Sequence, residues 1–282
     1  MKLKKVFFFV FLFVPSWIFA QYNTIHLQPN AHYTKTSDVS ATTKMVLDGQ
    51  EYAYAVSASM KTDYNILSKD SERYAIKITL DAINSELSSN GVKMSFDSQK
   101  DTLANIEDTI FAKPLSDILG ESNKVLVDST GEILESDSSQ IHRKAAEYIT
   151  STLLSGNDYT IGKRLDIIFH FKDSVKVGTT WIDSMAVDKD GMRVDTFSVE
   201  KIFNKVVYVN VNGYVKRTLP VQQGSTVAMA HFEGSSNAVL HVSQFTGIVN
   251  SRKMKTLIHS QINVNNKSIP ISSEIQLSEV VQ

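Results

Sequence analysis

The sequence EYAYAVSASMKTDYNIL, residues 51–67, decides the fold of this chain. Its even positions are Tyr52, Tyr54, Val56, Ala58, Met60, Thr62, Tyr64 and Ile66, and its odd positions are mostly small or polar. Because successive side chains of a strand point to opposite faces, this alternation predicts one long strand with an apolar face and a polar face. At about 3.3 Å per residue the strand would be on the order of 50 Å long, and a twisted sheet of such strands must curve. We therefore predict a curved antiparallel sheet with a concave apolar side.

The same alternation recurs on both sides of this stretch. We predict further strands at 33–47, 74–82, 92–97, 181–188, 192–202, 205–217, 225–233, 238–244, 247–265 and 268–281, and a hairpin at 123–133. Asp48-Gly49 predicts a tight turn, because glycine accepts positive φ at no steric cost. The polar run at 233–237 is interpreted as a turn between two strands. Clean alternation of this kind is typical of antiparallel sheets with one solvated face.

Two segments have helical rather than strand spacing. Residues 102–120 place apolar side chains three or four apart, with Pro114 restarting the helix and Gly120 ending it. Residues 138–156 carry a second apolar stripe, and 159–175 fit either a strand or a third helix. The predicted fold class is thus mainly β with a few helices (α+β), a half-open barrel of long, curved antiparallel strands packed by two or three helices.

The N-terminus has the pattern of a secretory signal peptide. A basic start at residues 1–5 precedes an apolar run at 6–14, and the segment ends in the small residue Ala20. Pro15 interrupts an apolar run that is already short for a membrane anchor. We predict cleavage after Ala20, a leader at 21–32, a β meander with a helix at 33–135, a helical connection at 136–175 and an antiparallel β half at 176–282. The mature protein is expected in the periplasm or outside the cell, with no stable membrane span.

Composition narrows the function classes. The chain has no cysteine, which excludes disulfides, thiolate nucleophiles and cysteine–zinc sites. The first twenty residues hold three of its 29 basic residues and no acid, so cleavage leaves 26 basic against 30 acidic residues. A mildly acidic chain lacks the cationic surface that nucleic-acid binding needs.

No pattern in the sequence predicts catalysis or a cofactor. Ser198 and Lys201 have the spacing of serine–lysine acylases, but that chemistry needs a helix and this segment has strand alternation. His231 and His241 flank the turn predicted at 233–237 without converging, and His170 between two phenylalanines is interpreted as a packing residue. We therefore expect no catalytic residues, no metal site and no cofactor, and we interpret the protein as a non-enzyme.

The predicted inner face suggests one candidate ligand surface. It carries Tyr52, Tyr54, Tyr64 and Tyr74, and Trp181 begins a later strand. Tyrosine offers an apolar ring and a polar tip, which suits either a packed core or contact with an amphipathic ligand. Two functions stay open: a binder of a hydrophobic or lipid-like small molecule, or a structural or interaction protein of the envelope with a filled core.

Two short sequences resemble each other within the chain. NKVLVDSTGEI at 123–133 and NAVLHVSQFTGI at 237–248 both end in a Thr-Gly turn. A duplicated half and two unrelated hairpins are both compatible with this echo.

The sequence VKVGTTW at 175–181, the strands after it and the Thr-Gly hairpin at 246–248 resemble a family of uncharacterised exported Bacteroidota proteins that carry a domain of unknown function. Gly120-Glu-Ser stands where that family has a Gly-Lys element, and Thr179 where an acid is common. The resemblance implies the envelope of a Gram-negative bacterium and a curved sheet partly closed around helices, a shape similar to lipoprotein-carrier folds. The family has no known catalytic residues, so the resemblance assigns none here.

Overall fold

A computed structural model describes residues 25–101, 111–137, 159–171, 175–188, 191–223, 226–264 and 267–282. Within these ranges the chain forms twelve strands and one short helix. The strands are β1 (His32–Leu47), β2 (Gln50–Asp70), β3 (Arg73–Ser89), β4 (Val92–Asp97), β5 (Ser122–Val127), β6 (Ile133–Ser136), β7 (Thr180–Asp188), β8 (Gly191–Phe203), β9 (Val206–Gln223), β10 (Thr226–Ser243), β11 (Val249–Val264) and β12 (Lys267–Val281). The helix α1 spans Ala112–Asp117, between β4 and β5.

The strands form one open antiparallel sheet. Their order is β6-β5-β3-β2-β1-β12-β11-β10-β9-β8-β7, and β4 lies beside β3. β1 pairs with β12, so that Lys35 lies opposite Val281 and Met45 opposite Ile271. This pairing joins the first and last strands in the middle of the sheet and makes the two predicted β halves continuous. The prediction of a mainly β fold with long antiparallel strands is confirmed, and residues 51–67 lie within the 21-residue strand β2.

The two faces of the sheet differ in burial. We call the face that bears Val39, Tyr64 and Leu277 the inner face and the opposite face the outer face. The lower end of the sheet is where β1 begins and β12 ends, and the upper end is where β1 ends and β12 begins. Apolar clusters occupy the inner face at the lower end, in the middle and across β8–β10. Each fully buried Ile or Tyr side chain contributes about 1.5–3 kcal/mol by leaving water, so these clusters hold the sheet in shape.

Of the predicted helices, the described residues show part of one. α1 is the only helix among the described residues, and its Ala112 and Leu115 are buried in the middle cluster. Pro114 is its third residue, where a missing N–H costs no helical hydrogen bond, and Gly120 follows with φ +75°. The other predicted helical residues, 102–110 and 138–156, lie outside the described residues. Packing of the barrel by two or three helices is therefore not supported.

Residues 159–171 are neither the strand nor the helix that the sequence allowed. They cross the inner face at the lower end as an irregular segment, which we call the strap. The Leu165 N–H donates to the carbonyl of Gly131 at 2.9 Å, and the Phe169 N–H donates to the carbonyl of Gly247 at 2.8 Å. Because these turns satisfy the strap's backbone groups, it needs no regular secondary structure of its own.

The two attachments of the strap to the sheet show how strongly the sheet curls. Its attachments at Leu165 and Phe169 are four residues apart, which spans at most about 14 Å of chain. The strands at those attachments, β6 and β11, are separated by six strand spacings, which in a flat sheet would be about 29 Å. The sheet must therefore curve inward at the lower end, where the strap closes it as a chord.

The prediction of a turn at 233–237 is wrong. β10 runs unbroken from Thr226 to Ser243, and Ser235 pairs with Tyr214 on one side and Leu257 on the other. Pairing on both edges outweighs the turn-like composition of this stretch. Gly234 serves close packing instead, because a Cβ there would lie 3.1 Å from the Val215 side chain and 3.2 Å from the Leu257 carbonyl.

Candidate functional site

The two Thr-Gly turns of the internal echo anchor the strap. Gly131 and Gly247 have φ +83° and +73°, a region that favours glycine. A Cβ on Gly131 would lie 2.5 Å from the Ile168 side chain, and one on Gly247 would lie 3.1 Å from the Phe169 carbonyl. Both glycines are therefore needed for the close approach of the strap as well as for the turn.

A buried cluster of charges lies where the strap meets the sheet. Lys35 Nζ of β1 donates to Asp166 of the strap and lies 3.5 Å from Glu279 Oε1 of β12. Arg252 of β11 contacts both acidic residues. Its Nη1 lies 3.1 Å from Glu279 Oε2, and its Nη2 donates to the backbone carbonyl of Asp166 at 2.9 Å. The Lys35 and Asp166 side chains are only 3% and 6% exposed. We call Lys35, Asp166, Arg252 and Glu279 the ion cluster.

Two tyrosines complete the surroundings of Asp166. The Tyr64 hydroxyl lies 3.1 Å from each oxygen of the Asp166 carboxylate and donates to it. Burial, and then the charge of Asp166, raise the pKa of Tyr64 well above its ordinary value. Burial raises the pKa of Tyr159 in the same way, so both phenols remain protonated. With two cations against two anions, the ion cluster is neutral as a whole and suits holding the strap in place rather than proton transfer.

Sequence reasoning missed the ion cluster, although a signal was present. Lys35 shares a face of β1 with Val39, Glu279 lies between the inward Leu277 and Val281, and Arg252 precedes Met254 on the inner face. A charged residue at an apolar position of the alternation predicts a buried partner, because burying an unpaired charge is costly.

The upper end of the inner face has a different character. Its large side chains are Met45, Tyr52, Tyr54, Phe232, Ile258 and Ile271, which we call the upper inner surface. Five of them are half-buried, and Tyr54 is 37% exposed. Hydroxyl groups lie among them, for example Thr43 and Ser273, whose oxygens are 2.8 Å apart. The combination offers apolar contact area together with a few hydrogen-bonding groups.

The structure separates the five residues predicted for ligand contact. Tyr52 and Tyr54 belong to the upper inner surface. Tyr64 and Tyr74 lie in the lower cluster at 0% and 1% exposure, and the Tyr74 hydroxyl donates to the carbonyl of Ile25 at 2.9 Å. Trp181 lies on the inner face of β7, away from both groups. Ligand contact at these residues stays a prediction, and Tyr52 and Tyr54 are the tyrosines of the set that are open to contact.

Trp181 belongs to an aromatic cluster between the strap and the sheet. Its ring stacks on Phe197 with centroids 5.1 Å apart and an interplanar angle of 7°. Phe169 and Phe171 of the strap lie 6.1 Å and 6.5 Å from the Trp181 ring. Such stacked and tilted pairs contribute about 0.5–1.5 kcal/mol each beyond area burial. Trp181 therefore contributes to docking the strap.

The histidines predicted not to converge are indeed far apart. His231 and His241 lie on the outer face of β10, ten residues and roughly 33 Å apart at strand spacing. Their Nδ1 atoms are 3.0 Å from the Thr218 hydroxyl and 2.9 Å from the Ser251 hydroxyl, respectively.

The segment with serine–lysine spacing is a strand, as its alternation predicts. Ser198 and Lys201 both lie in β8, and the Lys201 ammonium lies 4.2 Å from the Tyr208 ring centroid. Among the residues that the structure describes, no three His, Asp or Glu side chains come together as metal ligands. None of the helices in that part of the chain is long and apolar enough to cross a membrane.

The outer face also has a groove, and several of the residues that line it are charged or polar. A shallow depression of about 540 Å³ crosses β1, β12, β11 and β10, and its lining includes Asp38, Ser40, Lys253 and Lys255. Lys255 Nζ already pairs with Glu274 at 2.9 Å. The groove is open to solvent, unlike the concave clefts that enclose most of a bound small molecule.

The fold and the site of the described residues define a class: a mainly β protein with one curled open sheet that a strap closes at one end. No protein-family model matches the chain, and no curated protein matches it. A solved structure of lipovitellin, described for its lipid–protein interactions, is similar over 91% of this chain at 12% identity, with a TM-score of 0.49. This chain spans about a quarter of lipovitellin, covering 26% of it.

Two bacterial membrane proteins also match, with low TM-scores. An outer membrane channel from Pseudomonas putida F1 matches 93% of this chain and 98% of its own length, at 7% identity and a TM-score of 0.25. A BenF-like porin from Pseudomonas fluorescens Pf-5 matches 90% and 100%, at 3% identity and a TM-score of 0.22. All these TM-scores are too low to support a functional argument, so the function is inferred below from the geometry of this chain.

Proposed function

We propose that the protein is a non-catalytic binder of an amphipathic, lipid-like ligand. The observation that carries this proposal is the upper inner surface, where large apolar side chains remain half-buried around hydroxyl groups. Ligand sites combine a mainly apolar lining with a few placed polar groups, and this surface has that composition. A hydrocarbon chain lying on it gains about 0.8 kcal/mol for each methylene that leaves water, before the entropic cost of association.

The strap and the upper inner surface have separate tasks in this proposal. The strap and the ion cluster keep the lower end closed and rigid, so that the curvature of the sheet is set before a ligand arrives. A preorganised surface binds more tightly, because less ordering remains to be done on association.

The cellular setting belongs to the same proposal. We propose export with cleavage after Ala20 and an address in the periplasm or outside the cell, the setting that the resemblance to the exported Bacteroidota family implies and that a carrier of envelope lipids would need. No nucleic-acid partner is expected from a balanced charge of 29 basic against 30 acidic residues.

A pair of neighbouring residues provides the test. Ile258 points to the inner face and Leu257, 40% exposed, points to the outer face of the same strand. Ile258→Asn should weaken uptake of a fluorescent fatty acid by about tenfold, since it places an amide in the apolar contact, whereas Leu257→Asn should leave uptake unchanged. Native mass spectrometry of protein purified from the periplasm should show bound lipid. An empty protein that also fails to take up the probe would contradict the proposal.

One observation favours the second candidate, an interaction protein with a filled core. Tyr214 and Leu257 are 43% and 40% exposed on the outer face and flank Ser235 across three neighbouring strands. Exposed apolar side chains that lie on neighbouring strands can contribute to a protein contact. Loss of a co-purifying envelope protein on Leu257→Asn, with no lipid uptake by the unaltered protein, would support this alternative.

A further inference from the structure

A notch at Gly213 interrupts the apolar inner face of the C-terminal half. Across β7 to β10, Asp183 lies opposite Asp195, Asp195 opposite Gly213, and Gly213 opposite Ser236. All four belong to one transverse row of the inner face. A row of two carboxylates, a glycine and a hydroxyl is unusual on a surface whose neighbouring rows are mainly apolar.

Glycine is required at the centre of this row by space rather than by backbone conformation. A Cβ on Gly213 would lie 2.3 Å from Ser236 Oγ and 2.5 Å from Asp195 Oδ1. The two polar side chains therefore lean over Gly213 from either side. A methyl group in this position would occupy the space between their oxygen atoms.

Asp195 has one satisfied and one unsatisfied oxygen. Oδ2 accepts a hydrogen bond from Arg193 Nε at 2.8 Å. Oδ1 is buried and has no hydrogen-bond partner. A buried charged acceptor without a donor is costly, and native structures almost always supply one. A hydroxyl that enters above Gly213, between the Ser236 and Asp195 side chains, can supply this donor once the two side chains move apart.

The notch lies next to surfaces that suit the rest of an amphipathic molecule. One row toward the lower end, Phe197 stacks on Trp181. Toward the upper end, Ser236 is followed on the inner face of β10 by Gly234 and then by Phe232 of the upper inner surface. A ligand whose chain covers the upper inner surface would therefore place its polar end near the notch.

We infer that the notch is a polar subsite that binds a hydroxyl of the ligand's headgroup, and that the ligand is a neutral hydroxylated amphipath rather than a fatty acid. This inference rests on the proposed function. Arg193 already donates to Oδ2, so a hydroxyl is a sufficient donor for the free oxygen, and the Asp183 carboxylate in the same row adds to the negative charge there. A ligand carboxylate would lack the donor and would meet Asp195 Oδ1 with like charge.

The experiment compares two probes of equal chain length, monopalmitoylglycerol and palmitate, bound to the mature full-length protein. The unaltered protein should bind monopalmitoylglycerol more tightly. Gly213→Ala should weaken the binding of monopalmitoylglycerol by about tenfold, since one hydrogen bond to a charged group is lost. The affinity for palmitate should stay within about twofold of that of the unaltered protein. Gly234→Ala is the matched control, because it makes the same change on the same face beside apolar atoms and a carbonyl, and it should not alter the preference.

A second variant distinguishes loss of the subsite from misfolding. Asp195→Asn keeps the shape of the side chain and removes the charge, so it should reduce the preference for monopalmitoylglycerol by about threefold or more. If both probes bind but neither variant changes their ratio, the subsite is overturned while the proposed function stands. If the unaltered protein binds neither probe, both fall together.

Discussion

Removing the carboxylate of Asp166 should release the strap. Asp166→Ala leaves Lys35 almost fully buried, with Glu279 at 3.5 Å as its remaining carboxylate, which Arg252 already shares. It also removes the acceptor of the Tyr64 hydroxyl. Breaking a buried ion pair by removing one partner costs about 3–5 kcal/mol, and the remaining carboxylate places this case near about 3 kcal/mol. Such a loss is a large part of the stability of an ordinary domain.

Urea unfolding followed by the fluorescence of Trp181 measures this change. Trp181 contacts two phenylalanines of the strap, so its emission reports release of the strap as well as global unfolding. Asp38→Ala is the control, because Asp38 is an exposed carboxylate on the outer face of the same strand as Lys35. It should change the free energy of unfolding by no more than about 0.5 kcal/mol.

Two results would refute the reasoning. An Asp166→Ala effect as small as that of Asp38→Ala would mean that the ion cluster does not hold the strap. The double variant Lys35→Met with Asp166→Leu should recover most of the loss, because well-packed apolar residues can replace a buried pair at little cost. A double variant that is as unstable as the sum of the single variants would assign the loss to packing instead of the broken Lys35–Asp166 ion pair.

Three further outcomes are expected. Gly131→Ala should lower the free energy of unfolding in urea by at least about 2 kcal/mol, because the new Cβ would lie 2.5 Å from the Ile168 side chain of the strap. Gly49→Ala is the control: it has φ +80° but open space around it, so it should lower the free energy of unfolding by only about 1 kcal/mol. Although partial burial opposes it, hydrogen bonds in its turn lower the pKa of Asp128. The ionised Asp128 carboxylate therefore stabilises the protein above the ordinary carboxyl pKa, and this stabilisation is lost as the pH falls through the lowered pKa. Asp128→Asn should reduce the melting temperature near neutral pH, and the melting temperatures of the variant and the unaltered protein should become equal in acid. The pKa values of Tyr64 and Tyr159 are raised by burial, so these phenols do not affect the pH dependence of stability below the ordinary phenol pKa and destabilise the folded protein above it. Ultraviolet titration should show both phenols ionising only as the protein unfolds. A phenolate that forms from either residue in the folded protein would contradict their burial.

Local patterns predicted the strands but not every boundary. The alternation of β2 is visible in any window of a few residues, because the side-chain period of a strand is a local property. The stretch around Gly234 was misinterpreted as a turn, since its composition is turn-like and only the two flanking strands make it part of β10. The strap has no period at all, so its form depends on the two turns that bond to it.

The candidate site was even less accessible from the sequence. Tyr54 and Tyr64 have the same place in the alternation of one strand, yet Tyr64 is fully buried and Tyr54 is 37% exposed. The strap makes this difference by covering one end of the sheet. Lys35 and Asp166 are 131 residues apart in the chain, and no local pattern links them.

Residues 51–67 by themselves determined a long strand with one apolar face, and with it the prediction of a curved sheet. The sequence also determined the absence of cysteine chemistry and of an overall excess of positive charge, because these are matters of composition. The tertiary structure alone decided how far the sheet curls, which end is closed and which inner residues stay open to a ligand. Those properties depend on contacts between the strap, two distant turns and the buried charges of three strands, and such contacts arise only when the chain folds.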